Sequence, residues 1–576
     1  MLRGIFKNIS MKIVRIIQLS FSLFFLISTY MISQDTLYVS DHGYGIDHQK
    51  KLIIINERAD DVYTASGVWL SDYYELTQEV DTLQIGQGYS VVNSNGENYT
   101  MYLSELPLIS IKPEEEIVDE PRTLACFMMT ESDGTIIHSN IGVEFRGRFS
   151  QTYDKKSLRI EFWNDTTGDD TENYSLLGMR DDDDWNLQAM YNEPMRLRNK
   201  SAFDLWRQID TLYYQEEESK AINGVHYEYV ELFVNDEYRG VYGLSERVDR
   251  KQLRLKKEDD GEIRGELYKG ILKDVGVLFT GAPSFDNLED TWKGYEYDYP
   301  DIIDWTELHK TVSFVVGTDE EMFLESVSSV FDIDNLVNYF IFLNLTRAED
   351  NTGKNIFLAK YDVNEPYFYV PWDLDGIFGM RWDGVRWRIT DDILSNGLYD
   401  RLLDDTREDG FVALLKQRWT RLRSEVITTE NINEIVNANF SYLSYNGIYE
   451  RERIAWPNTK ILNENTGNYT TDWLIERIAF LDQAFDNLDV VSSNIDINNQ
   501  IDWSIIPNPS FGMVRLQSNR EIKQVVVLTQ NGIKVKESTA QDVTQIDLQD
   551  LPKGMYFIRI VDSAGDIGVK KVVLVN

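Results

Sequence analysis

Between Asn355 and Asp373 the chain has to double back. Two runs of strand composition, Ile356 to Tyr361 and Tyr367 to Val370, flank a polar turn from Asp362 to Pro366, which is the pattern of an antiparallel hairpin. Fully extended, this segment would separate its ends by roughly 60 Å, whereas a hairpin returns both ends to one edge about 5 Å apart. Asp350 and Asn355 then face Asp373 and Asp375. Hard oxygen ligands of this kind suit a magnesium–phosphate site, because Mg2+ takes one or two carboxylates, amide oxygens, waters and substrate phosphates.

Acid density alone carries little weight, since Asp and Glu make up 96 of 576 residues. The arrangement carries more. An aromatic, Pro-bounded strand empties into WDLDGIFG (372–379), where two acids sit one residue apart ahead of glycines that allow close backbone approach. A solvated loop or a Ca2+ site is the alternative. Protein kinases place a catalytic Asp five residues before a metal-binding Asn, then a second metal-binding Asp after a short hairpin. Asp350, Asn355 and Asp373 follow that order and spacing.

Together, DNTGKN (350–355) and PWDLDGIFG (371–379) resemble the active-site segment of the spore coat protein H-type (CotH) kinase family. Four further blocks resemble family segments in the same order: RGRFSQTYDKKSLRIEF (146–162), LLGMRDDDDWNLQAMYNEPMRLRNKSAFDLWR (176–207), YVELFVNDEYRGVYGLSERVD (229–249) and ELYKG (266–270). The resemblance covers about Ile117 to Asp489. It implies an atypical protein kinase that moves the γ-phosphoryl group of ATP to Ser/Thr-type hydroxyls of an exported protein. Asp350 would position the nucleophile, and Asn355, Asp373 and Asp375 would hold Mg2+ or Mn2+. One departure is visible: Ala348-Glu349 stands where ordinary kinases carry His-Arg, so their regulation is not carried over. The alternative function is a non-catalytic cell-surface adhesin on a kinase-like scaffold.

The basic candidates lie upstream. Arg146-Gly147-Arg148 turns into Lys155-Lys156-Ser157-Leu158, and a glycine among basic residues at a strand turn can lie over phosphates. In period two, Lys156 shares a face with Leu158 and Ile160; this points Lys156 inward, toward an anion or a structural acid, and leaves Lys155 and Arg159 outward. Lys269 in LYKG is a second phosphate candidate. Glu246, after strands Tyr229 to Phe233 and Tyr238 to Leu244, falls where a kinase order puts the adenine-contacting hinge. The helical pattern from Pro194 to Trp206 takes the place of the regulatory helix. A second one, with Leu336, Tyr339, Phe340, Leu343 and Leu345 on one face, leads into the site. Further helices are expected at Phe411 to Ser424 and Asp472 to Phe485, and Asp181 to Asp184 reads as a solvated acidic loop.

The ends of the chain have another character. Residues 1–33 carry Arg3, Lys7, Lys12 and Arg15 ahead of an apolar run from Ile16 to Ile27, a signal-peptide pattern too short for a span of about 20 residues. No later segment could cross a bilayer. Residues 34–116 alternate in short strands and read as a small antiparallel β domain closed by the acidic linker 113–121. After a linker at 490–504, residues 505–576 alternate again. PNPSFG (507–512) and LPKGMYFIRI (551–560) resemble the C-terminal sorting domain of proteins handled by the type IX secretion machinery of Gram-negative bacteria, a β-sandwich.

The expected class is therefore α+β: a two-lobed atypical protein-kinase-like core, 117–489, between two β domains, in a protein secreted or held on the cell surface. The formal charge, 57 minus 96 or −39, argues against nucleic acid and anionic membrane as partners. Cys126 is the single cysteine, so no intrachain disulfide forms, and its apolar neighbours place it in the core. The five histidines are scattered without a zinc motif, no Ser-centred nucleophile elbow occurs, and nothing beyond carboxylate count supports a glycosidase.

Overall fold

The computed structural model describes residues 36–56, 65–459, 462–488, 503–518, 520–529, 534–539, 544–563 and 567–575. The signal-peptide pattern and most of the 490–504 linker lie outside the described residues. The chain divides into two units, Met1–Val490 and Val491–Asn576.

Strand-forming sequence between Thr36 and Ser104 builds a seven-stranded sheet. It is mixed, not purely antiparallel. Thr36–Tyr38 pairs parallel with Gly67–Trp69, and Leu52–Asn56 pairs parallel with Asn98–Ser104. Parallel neighbours are joined by distant connections that local alternation does not reveal.

Seven strands then close into a barrel: Leu108–Pro113, Thr123–Thr130, Ile136–Arg146, Ser157–Trp163, Asp184–Gln188, Glu237–Ser245 and Tyr227–Val234. Alternate residues such as Phe127, Val143, Ile160, Trp185 and Leu232 fill its interior. The expected boundary at 116/117 thus falls inside one structural body, because Leu108–Pro113 is a barrel strand paired with both Thr123–Thr130 and Tyr227–Val234. The acidic stretch after it is not a free linker either. Ile117 is buried in the barrel core, and the Val118 carbonyl accepts from the Phe145 amide at 2.8 Å. The N-terminal sheet packs as closely: Gly86, at φ +76°, lies so near Tyr445 that a Cβ there would stand 2.0 Å from its carbonyl oxygen.

A five-stranded antiparallel sheet and a group of helices form the rest of the first unit. Its order is Thr291–Trp292, Tyr295–Tyr299, Glu266–Gly270, Ile356–Lys360 and Tyr367–Pro371. The last two strands are the anticipated hairpin, in register Ile356 to Pro371 and Lys360 to Tyr367. Helix Ile333–Thr346 begins at Asp332, whose carboxylate caps the amides of Asp334 and Asn335, and ends at Arg347 in the left-handed region. Every residue from Asn335 to Thr346 is buried, so this helix is covered on all sides. Strand Tyr367–Pro371 and helices Phe411–Glu425 and Thr466–Asp486 pack against it. Burying each large apolar side chain contributes about 1.5–3 kcal/mol, and the helix thereby becomes a rigid lead into the residues that follow it.

In the second unit a three-stranded and a four-stranded sheet share one apolar core that includes Trp503, Val514, Val527 and Ile558. The two sequence marks have local causes. Asn508 bonds the Lys571 carbonyl and the Val573 amide, and Ser510 ties Gly512 to Met513. The Tyr556 hydroxyl donates to the Pro552 carbonyl at 2.7 Å.

Two expectations about individual residues fail. Cys126 is exposed, because Ala125 and Phe127 on either side of it take the inward positions; its Sγ sits 3.2 Å from His138 Nε2. Asp181 to Asp184 is no solvated loop but two short strands and an ion-pair cluster. Asp182 is buried against Arg180 and Lys251, and Asp184 meets Arg122, Arg159 and Arg247.

Candidate functional site

The hairpin delivers its two ends side by side. The Trp372 amide donates to the Asn355 carbonyl at 3.0 Å, and the Asn355 amide to the Gly270 carbonyl at 2.9 Å. Asn351 staples both ends, its Nδ2 donating to the carbonyls of Asn355 at 2.7 Å and Trp372 at 2.8 Å. Just beyond these ladders the backbone turns left-handed at both candidate ligands, with φ +56° at Asn355 and +49° at Asp373. Asn and Asp adopt this conformation more readily than other side chains, and such strain concentrates at functional sites.

Asp350, Asp373 and Asp375 line one small cavity of about 10 Å³ with Trp382 and Trp387. Asp350 starts a short 3-10 turn; its carboxylate lies 3.6 Å from Lys354 Nζ and 3.9 Å from Lys273 Nζ. Asp375 accepts from Asn192 Nδ2 at 2.6 Å, and the Leu374 amide between the two acids is held by Asn199 Oδ1 at 2.7 Å. Burial pushes the Asp373 carboxyl up, with Arg146 and Lys354 opposing and Asp350 adding to it. Asp375 is pushed well above the carboxylate range, by burial first and then by the charge of Asp373. The three acids therefore repel one another and lack cations in full contact, a state that an added cation relieves.

On the other side of Trp372 lies a cleft of about 500 Å³ between the outer face of the barrel and the sheet. Arg146, Gly147, Lys269, Arg159 and Arg247 line it, and so do the acids Asp119, Glu120, Glu144, Glu296 and Asp298. The Arg146 guanidinium has no ion-pair or hydrogen-bond partner among the described residues. Burial draws its guanidinium down to about 10, and it stands 5.5 Å from the Trp372 ring centroid. Gly147, at φ +95°, lets the turn expose its backbone to the cleft. Lys269 keeps one weak contact, 3.7 Å to Glu296.

Two expected cleft residues lie elsewhere. The Lys156 ammonium donates to the carbonyls of Gln151 at 2.6 Å and Tyr153 at 3.0 Å, and faces a separate cavity with Phe145, Leu158 and Trp456. Its face was assigned correctly by parity, but the cleft runs along the outside of the barrel, where Arg159 looks. Lys155, expected outward, is buried against Glu452 at 2.7 Å. Glu246 is fully buried and accepts from the amides of His226 and Arg180. Although burial works against the charge, His226 and these amides hold its carboxyl at about 2. Its neighbour Arg247 is the one that reaches the cleft. Sequence reasoning does not single out Asn192, Asn199 or Asn351: the first two lie far along the chain from the groups they hold, and Asn351, although next to Asp350, acts on the carbonyls of Asn355 and Trp372, which only the folded hairpin brings together.

Among the described residues no group of three or more His, Cys, Asp or Glu is placed to hold a metal unaided. The donor set here, two carboxylates with a third nearby, fits a hard cation that brings phosphate oxygens and waters with it. The family model described as CotH kinase protein matches residues 143–481, and that of the secretion system C-terminal sorting domain matches 504–575. Inner spore coat protein H of Bacillus subtilis (strain 168) is 23% identical over 287 residues, 47% of this chain and 72% of that protein. Among the described residues no helix is long and apolar enough to cross a membrane. The chain belongs to the CotH kinase protein family and carries a C-terminal domain that marks it for type IX secretion.

Proposed function

We propose that this is an exported atypical kinase that transfers the γ-phosphoryl group of ATP to a Ser/Thr-type hydroxyl of another exported protein. One observation carries the reading: an unpartnered guanidinium, Arg146, and a cluster of under-neutralised acids flank the same Trp372–Asp373 step. A polyanion accompanied by a divalent cation satisfies both at once, and few other ligands do. In this reading the barrel acts as the small lobe and the helical region as the large lobe of a kinase-like core, and the two C-terminal sheets form the sorting sandwich. The triphosphate lies in the cleft beside Arg146 and Lys269, with Gly147 giving its backbone close approach. Asp350 accepts the proton of the attacking hydroxyl and orients it. Asn355, Asp373 and Asp375 would hold Mg2+ or Mn2+, which would offset charge on the transferring group.

The experiment is metal-dependent phosphate incorporation from labelled ATP by the mature chain and by Asp373→Ala. The variant is expected to lose about 10³-fold. Equal incorporation by the two proteins overturns the assignment.

A second reading is a surface-binding protein on the same scaffold, without turnover. The feature that favours it is the space among Asp350, Asp373 and Asp375, about 10 Å³, room for little more than one water. Titration with Mg–ATP separates the two. Absence of both heat and a thermal shift at millimolar nucleotide favours the binding protein. The sorting domain takes the chain across the outer membrane in both readings, to the surface or the medium.

A further inference from the structure

We propose that the acceptor side of this site is a right-angled corner between two exposed rings, Phe149 and Trp382, which seats a large apolar side chain of an extended peptide beside its acceptor hydroxyl. The proposal rests on the phosphoryl-transfer reading above for the word acceptor, and on geometry for the rest.

Trp382 belongs to the carboxylate cavity itself, which it lines with Asp350, Asp373 and Asp375. Its carbonyl accepts from Asn192 Nδ2, the group that also holds Asp375. The Trp382 backbone is therefore tied to Asp375 through Asn192. Phe149 comes from the turn that leaves barrel strand Ile136–Arg146, two residues after Gly147, so the same loop faces the nucleotide cleft with its glycine and the corner with its ring. Through Trp382 the corner adjoins the cavity that Asp350 lines.

Both rings remain open, Phe149 57% and Trp382 39% exposed, although their centroids are only 5.0 Å apart. Two large rings left together on the surface mark a contact site more than two scattered ones do. The aromatic surface also continues. Phe149 meets Tyr153 at 5.7 Å, Tyr153 meets Tyr191 at 5.5 Å, and Tyr191 meets Trp456 at 6.1 Å. This run of five rings, two exposed and three half-buried, is longer than one small molecule covers and suits several residues of extended chain.

The angles select the occupant. Phe149 stands at 84° to both Trp382 and Tyr153, so the rings enclose a corner and offer no coplanar platform. Pyranose rings stack on a flat aromatic face, whereas an aliphatic or aromatic side chain fills a corner with contacts on two walls. A peptide is therefore favoured over a glycan.

The test uses the full mature chain and short fluorescent Gly/Ala peptides that carry one Ser, with Leu or Ala beside it on either side. Anisotropy without nucleotide should show the wild type preferring a Leu peptide about tenfold. Phe149→Ala should erase that preference and keep both its melting temperature and its Mg–ATP affinity. Trp382→Leu gives an independent reading, with the preference weakened and the fold monitored by the same melt. Equal affinity of the wild type for Leu and Ala peptides overturns the corner, as does an undiminished preference in Phe149→Ala or tighter binding of neutral oligosaccharides than of any peptide. A Leu preference in binding with no phosphate transferred to either peptide would sink the kinase reading and leave the corner standing.

Discussion

Two acidic clusters lie in the first unit, and they are built to opposite ends. At Asp182–Asp184 nearly every carboxylate meets a cation: Lys251 touches Asp182 at 2.8 Å and Asp183 at 2.5 Å, and Arg122, Arg159 and Arg247 converge on Asp184 within 3.0 Å. Burial works against the Asp184 charge, yet these three guanidiniums hold its carboxyl below the usual carboxylate range. At Asp350, Asp373 and Asp375 the nearest cations stand back at 3.6 and 3.9 Å or reach an acid only through space. The first cluster consumes its charge in holding strands together, and the second keeps its charge available for something that arrives from outside. Density of acid in the sequence does not separate them; the number of cations in contact does.

The largest effect that tests this contrast is on rate. Asp350→Asn should lower phosphoryl transfer by about 10²–10⁴-fold with Mg–ATP affinity unchanged, while Asp183→Asn leaves turnover intact. Initial rates and nucleotide titration of both variants check it, and equal losses would erase the distinction. Next comes stability at a fully engaged acid, Glu246. Its folded value, about 2, lies under the ordinary 4.5, so its contribution is present above about pH 4.5 and lost as pH falls through about 2. Glu246→Gln should cost about 3 kcal/mol at pH 7, and denaturant melts should show the gap to wild type narrowing toward pH 3. Third, Arg146→Ala should weaken Mg–ATP binding about tenfold and Lys156→Met should not alter it, read by calorimetric titration. The smallest effect reverses sign between the clusters. Asp375→Asn relieves like-charge repulsion and should stabilise the nucleotide-free protein by about 1 kcal/mol, whereas Asp184→Asn destabilises it. Matching signs in the two melts would contradict the picture.

What could be read from the sequence was whatever the chain determines locally. The hairpin needed only strand runs and a polar turn, and it brought Asp350 beside Asp373 as expected. The helices Phe411–Glu425 and Thr466–Asp486 followed from periodicity. Lys156 shows where such reasoning ends. Period two told which residues share its face but not which face of a closed barrel looks onto the cleft, and in this fold the outer one does. Glu246 failed for a related reason: its neighbours in sequence reach the cleft, while its own side chain turns toward His226 and Arg180. The acidic run at 181–184 looked solvated because its partners, Arg122, Arg159, Arg247 and Lys251, come from another strand, the short helix Arg250–Leu253 and connecting segments. The same holds for the parallel pairing of Leu52–Asn56 with Asn98–Ser104. Asn192 and Asn351, which hold the acids and the hairpin ends, would have needed a three-dimensional view.

Closure of the barrel decides how the protein can be cut. The family match begins at residue 143, inside strand Ile136–Arg146, after two of the seven staves have already gone by. A recombinant fragment that starts there would lack Leu108–Pro113 and Thr123–Thr130 and would leave Tyr227–Val234 with an open hydrogen-bonding edge, a template for sticking to other chains. Starting at 108 is hardly better. The buried carboxylate of Glu231 receives Ser104 Oγ at 2.5 Å as well as the guanidinium of Arg451, so the junction between sheet and barrel is wired into the helical side. The smallest piece that keeps this wiring intact begins upstream of Ser104, and shorter excisions trade a convenient boundary for a frayed barrel.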